Sequence, residues 1–495
     1  MTMTDFFPLQ ALYQRQLAGC SEISPLDHQV QALLQNRPVE LKDLIDKCQW
    51  DLSPEVALDN WKYLLTLNLL DAAHVYVNEL AAKIYHYEQQ AWNHHSQYSR
   101  ALVALNHLLA KLPVPEVGVC LLQSGAALVD LQEYAPWSTL PYIPQQLEFG
   151  IFLCTLAHLG GAQHLHESIL RLAQWLLLTL DSDGNPLNSL FVRECEGNHF
   201  TLLALHALFW RAVSVTTGEA KFAQVAQLVN DHLEKTIKTT DHIEPWWVLC
   251  ERVFPKTLKE TPHHFTFSPS ICDSSTALIG YRTAQQSTIC TLHGGHTGLG
   301  SMRFRDVTLL NYGPQHLPLS DCSGFGIEGN HLSDHGIRQS IMENRSYGFS
   351  LKGCVRLVDR PPQFLHETVP FCGIWLEIAQ EFKLPQLRLT TTVLSLDEWN
   401  DVAFSFFVQA KRCKVQSGPV LTPGTLERYE GLAHPLLLEG EHASLSLYAK
   451  NFQGTLQVIP LAGKNDYWGA HFLVAYLLTP QQKHYEWFIE PVSNL

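Results

Sequence analysis

The sequence predicts a multidomain α+β protein: a helical N-terminal half followed by a C-terminal half built as an antiparallel β-sandwich. Three observations predict it. Apolar residues recur at i, i+3, i+4 and i+7 through the first half of the chain. From Ser275 onward, short runs rich in Thr, Val, Phe and Tyr replace that pattern, and several alternate with period two. At 495 residues and 46% hydrophobic content, the chain is long enough for two separately cored units and too apolar to be disordered.

The helical reading begins at Leu58 and continues over two successive segments. Further helices are predicted over Tyr98–Leu112, Val117–Glu133, Gln145–His158, Ala162–Leu180, Phe200–Val215 and Ala220–Ile237. The breaks fall at Pro113 and Pro115, Pro136, Gly160-Gly161, Asp181–Pro186 and Thr216–Gly218, where helix-stop chemistry puts them. Helices of ordinary length with short loops imply an array of antiparallel pairs. The change of character near Lys256–Phe265 divides the chain into a helical domain, 1–257, and a β domain, 258–495. Strands are expected at ALIGYRT, STICTLHG, DVTLLNYG, RSYGFSLKG, CVRLVDR, LRLTTTVLSL, VAFSFFVQA, ASLSLYAK, GTLQVIPLA and AHFLVAYLL.

Composition excludes some classes of function. A formal charge of −14 opposes sequence-independent nucleic-acid binding, which needs a basic face. The most apolar stretch, Leu170–Leu180, is too short to span a bilayer and contains Arg171. The start MTMTDFFPLQ lacks a basic n-region and a signal-length apolar run, and the twelve cysteines form no CxxC pair. These features predict a cytoplasmic protein with reduced thiols. No cofactor and no metal are expected, since His293 and His296 on a glycine-rich turn do not supply the three or four ligands a metal needs.

Two stretches carry most of the functional signal. In GNHFTLLALHALFWRAV, Asn198 and His199 open a strongly apolar helix, where Asn also serves as an ordinary N-cap. In RFRDVTLLNYGPQHLPLSDCSGFGIE, a strand leads into a polar turn with His316 and Asp321 and on to a further strand, which also reads as a plain hairpin. With the architecture, these stretches resemble the heparinase II/III-like polysaccharide lyases. In that family an α/α toroid precedes a β-sandwich, an Asn-His pair opens a toroid helix, an acidic-aromatic segment carries a Tyr, and a GP…HGHAD-type turn follows. Asn198-His199 resembles the first element, Asp241–Trp247 stands where the second falls, and Gly313–Asp321 resembles the third.

The resemblance implies a glycan, uronate-containing where elimination is the reaction, acted on or bound in a cleft between the two domains. Elimination removes a proton beside a carboxylate, so it needs a base and a group that holds the enolate-like charge. Asn198 and His199 are the implied neutralisers, and His316 or Tyr312 the implied base. Trp246, Trp247, Arg303, Arg305, Asp321 and His296 are the implied substrate contacts. The sequence departs from the family pattern in two places: Trp246 and Trp247 stand where the family has Tyr, and Pro318 replaces the second histidine of the turn. The alternative is a catalytically inactive relative serving as a glycan- or protein-binding scaffold.

Overall fold

The computed structural model describes residues 8–20, 23–41, 44–45, 54–71, 81–82, 84, 96–127, 141–187, 199–236, 243–254, 265–292, 298–316, 327–328, 341–358, 371–395, 402–462 and 466–492. Among these, nine α-helices precede residue 254 and two antiparallel sheets follow residue 269. The predicted boundary segment Lys256–Phe265 lies almost wholly outside the described residues.

The helices are α1 (Pro8–Gly19), α2 (Pro25–Leu34), α3 (Pro54–Asp71), α4 (Gln97–Leu109), α5 (Ile143–Gly160), α6 (His166–Leu176), α7 (His199–Thr217), α8 (Ala220–Thr236) and α9 (Pro245–Val253). Five of them close a ring: α3 packs on α4, α4 on α5, α5 on α7, α7 on α9, and α9 back on α3. The ring helices run parallel, both between neighbours and across the ring. Along α5 and α9, Phe152 meets Trp246, Thr155 meets Cys250 and His158 meets Phe254. Along α5 and α7, Gly150 lies against Phe209 and Cys154 against Thr216. Along α4 and α5, Tyr98 meets Phe152 and Leu108 meets Gly160. Ring helices are buried nearly all round, as in α4 from Gln97 to His107 except Arg100. By contrast α6 buries one stripe, Ile169, Leu172, Ala173, Trp175 and Leu176, as a helix on the outside of a layer must.

The outer helices double back. Gly161, left-handed at φ 65°, stops α5, and α6 returns along it so that Leu172 reaches Gly150. Helix α1 runs antiparallel to α9. Glu251 accepts the Leu9 and Gln10 amides at one end, and the Ile243 amide donates to Gln16 Oε1 at the other. The helix predicted over Val117–Glu133 is absent where it is described. Residues 117–127 form an extended loop closed by a Leu121–Ala127 bridge, turning at Gly125 with φ 110°. A β-carbon at Gly125 would overlap the Arg171 carbonyl, so this turn needs glycine.

The two sheets, of nine and ten strands, press their inner faces together. Phe404 of the Val402–Gln409 strand stacks on Trp487 of the His484–Pro491 strand at 4.2 Å between ring centroids. The runs RSYGFSLKG and CVRLVDR form one strand, Gly348–Val358, and the strand Phe371–Lys383 beside it was not expected.

The sheet half docks on one end of the ring. Trp175 Nε1 donates to Asp273 Oδ2 at 2.8 Å, Arg282 Nη1 to the carbonyls of Leu177 (2.9 Å) and Leu180, and Ser182 Oγ to Thr283 O at 2.6 Å. Because α6 runs antiparallel to α5, its C-terminal end lies beside the N-terminal ends of the ring helices. The contacts with the sheets therefore lie on the side of the ring mouth, where the ring helices begin.

Candidate functional site

At this mouth the ring helices bring together side chains that are distant in sequence. Lys62 from α3 holds Glu148 of α5 at 3.0 and 3.1 Å from its two carboxylate oxygens. The Tyr98 hydroxyl, from the first turn of α4, donates to Glu148 Oε2 at 2.5 Å. Ser96 caps α4 by accepting the Ser99 amide at 3.1 Å, which fixes where Tyr98 leaves the helix. Burial pulls the Lys62 ammonium down, but Glu148, with Glu244 and Asp59 behind it, outweighs that and holds it above its usual value. Tyr98 and Glu148 are almost fully buried, and Lys62 is partly open. None of the three was singled out from the sequence. The available signal was a lone carboxylate in the apolar run QQLEFGIFLCTL.

The sequence-predicted residues are placed as follows. His199 is the first residue of α7, at the same end of the ring, although its side chain lies outside the described residues. Asn198, Asp321, His293 and His296 also lie outside them, as do Asp241 and His242. His316 ends the strand Val307–His316, where its backbone pairs with Val402, and its side chain is not described either.

Tyr312 is in the core and not in a cleft. Its hydroxyl donates to Gln380 Oε1 at 2.8 Å, with Cys290 Sγ 3.1 Å away, and no part of the residue is exposed. Burial, reinforced by Cys290, holds the phenol well above its ordinary value. A sealed phenol with a raised pKa cannot receive a substrate proton, so Tyr312 is corrected from candidate base to sheet-to-sheet clasp. Trp246 and Trp247 are likewise corrected. Both are buried, packed edge to face at 6.1 Å with Trp246 also against Phe152, and offer no ring face to a sugar. Of the chain's other tryptophans, Trp468 is buried against Phe407, and Trp92 and Trp137 lie outside the described residues.

Arg303 sits at the ring–sheet junction, paired with Asp181 and, at 3.2 Å, with Asp183 Oδ2. Asp181 Oδ1 in turn accepts the Asp183 and Asn185 amides at 2.8 and 2.9 Å, which shapes the turn. Arg305, left-handed at φ 52°, lies over Phe304 and reaches the His442 carbonyl at 3.5 Å. Among the described residues no group of three or more His, Cys, Asp or Glu is arranged to hold a metal ion, and no helix is long and apolar enough to cross a membrane.

No protein-family model matches this chain, and no curated protein matches it. Solved structures do. A xanthan lyase from Paenibacillus superposes with a TM-score of 0.50 at 10% identity, over 98% of this chain and 53% of the lyase. A chondroitinase AC lyase, at 9% identity, covers 99% of this chain and 84% of its own with a TM-score of 0.36. A 4-α-glucanotransferase from Thermococcus litoralis, at 8% identity, covers 72% of this chain and 56% of its own with a TM-score of 0.28. The chain thus spans about half the length of the xanthan lyase it resembles. Mixed helices and antiparallel sheets, superposing from end to end on such an enzyme, give this chain a polysaccharide lyase-like fold.

Proposed function

We propose that this protein is carbohydrate-active and takes a glycan where the ring mouth faces the sheets. The observation that carries the reading is the closed ring of parallel helices with the sheet half docked on its N-terminal end. That arrangement supports an α/α toroid-like domain, 1–257, followed by a β-sandwich domain, 258–495, and clefts between domains are where ligands most often bind. In the heparinase II/III-type form of the reading, a uronate-containing chain undergoes β-elimination. Asn198 and His199 hold the developing negative charge, His316 takes the proton, and Arg305, Asp321 and His296 contact the substrate.

A second form, a glycan-binding or protein-binding scaffold without catalysis, is favoured by one observation. The tyrosine nearest the expected motif, Tyr312, is sealed in the core, and the other expected tyrosine position holds buried tryptophans. The two forms separate in one assay. The protein is incubated with a panel of uronate polysaccharides while the ultraviolet absorbance of the unsaturated product is followed. Elimination gives a rise that His199→Ala abolishes; silence across the panel, equal in wild type and variant, removes the lyase form.

A further inference from the structure

We infer that this protein pairs with a second copy of itself through the open edge of its nine-stranded sheet, antiparallel about Tyr429. That sheet ends on the strand Tyr429–Leu432, which among the described residues is paired on one side, with Thr455–Pro460. The ten-stranded sheet ends on Val420–Leu421, and residues 422–428 carry the chain from that edge to this one. At its other end the nine-stranded sheet is taken up by the helical half, where Trp175 bonds to Asp273 of the strand Ser270–Asp273. An open edge presents backbone donors and acceptors that a further strand can complete.

The side chains on this edge select the strand that fits. Tyr429 turns inward onto the sandwich core, so Arg428, Glu430 and Leu432 alternate to the outer face, where all three are exposed. Leu426 is fully exposed and Leu432 is 72% exposed. Together with Val420 they are three of the ten large apolar side chains exposed among the described residues, and all three lie between residues 420 and 432. Apolar groups concentrated on one edge favour a contact that covers them.

A strand paired antiparallel with its own copy has a twofold axis through one residue, because paired residues must point their backbone groups at each other. With the axis at Tyr429, Arg428 lies opposite Glu430 of the copy, and Glu430 lies opposite the copy's Arg428. The same register sets Leu426 against Leu432 at both ends. Moving the axis to Arg428 puts arginine on arginine, and moving it to Glu430 puts glutamate on glutamate. Opposite charges directly across a strand pair attract and like charges repel, so the charge order specifies one register.

The test is sedimentation velocity on the full chain from about 1 to 100 µM. A concentration-dependent equilibrium between monomer and dimer is the expected result. Arg428→Glu and Glu430→Arg each place two like-charge pairs across the axis, and each should weaken the dimer at least about tenfold. Mixing the two single variants makes both pairs opposite again, and should give a heterodimer at least as tight as the wild-type dimer. The double variant, Arg428→Glu with Glu430→Arg, should dimerise as wild type does. Both positions are exposed, so melting temperatures should stay unchanged. A wild type that remains monomeric over the whole range overturns the inference. So does a dimer indifferent to both single reversals, or one that mixing the two variants does not restore.

Discussion

The Tyr312 hydroxyl donates a 2.8 Å hydrogen bond to Gln380 Oε1, joining the two sheets through a contact that water does not reach. Gln380 completes the clasp by donating from Nε2 to the carbonyls of Thr291 and Leu299 at 2.9 and 3.2 Å. Replacing Tyr312 with Phe leaves the Gln380 carbonyl oxygen buried without its donor. The expected cost is about 1–3 kcal/mol of unfolding free energy, read from urea melts, with glycan binding unchanged. If Tyr312→Phe lost binding at unchanged stability, its assignment to the clasp would be wrong.

Gly300 lies in register between Cys290 and Tyr312 on its two neighbouring strands. A β-carbon there would overlap the Tyr312 ring and hydroxyl, so Gly300→Ala should destabilise by about 1–3 kcal/mol. Because the two changes share a site, Gly300→Ala with Tyr312→Phe should cost measurably less than the sum of the singles. Strict additivity in a double-mutant cycle would show that the overlap is relieved elsewhere.

Glu251 is 2% exposed, 3.6 Å from Arg211, and accepts the Gln10 and Leu9 amides of α1. Burial raises its pKa to about 7, with Arg211 and the two amides opposing the rise. The folded state therefore holds a proton that the unfolded chain releases near its ordinary carboxylate value. The group's contribution is present in full below that ordinary value and is lost as pH rises through about 7. Between pH 5 and 8, wild-type stability should fall relative to Glu251→Gln by an amount on the order of a few kcal/mol. Parallel pH profiles of the two proteins would contradict this.

Arg303 and Asp181 link the sheet half to the turn after α6, and Asp181 is 1% exposed. Asp181→Asn keeps the turn's acceptor for the Asp183 and Asn185 amides while removing the charge opposite Arg303. A loss of about 1–3 kcal/mol is expected, smaller than for a fully buried pair because Arg303 is a quarter exposed. Calorimetry showing no change in melting would mean that the ion pair does not hold the halves together.

Much of this fold is legible in the sequence because burial and period coincide there. The all-round apolar runs behind α5 and α7 mark helices enclosed by others. The period-two runs LRLTTTVL and SLSLYAK mark strands with one wet face. The strand Phe371–Lys383 escaped because Gln380 stands where the inward alternation of Ile374, Leu376, Ile378 and Phe382 calls for an apolar residue. That residue is the inter-sheet clasp. The helix expected after Val117 failed because the Gly125 turn, backed by the Arg171 carbonyl, overrides local helix preference. The mouth cluster was illegible for another reason: Lys62, Tyr98 and Glu148 come from three helices and share no local motif.

The most direct test of the central claim is a glycan-array measurement on wild type and His199→Ala, with melting temperatures taken in parallel. His199 opens a ring helix at the mouth, so the account predicts a glycan bound by wild type and weakened at least about tenfold in the variant at unchanged melting temperature. An array on which wild type binds nothing, or on which the two proteins bind equally, would contradict it.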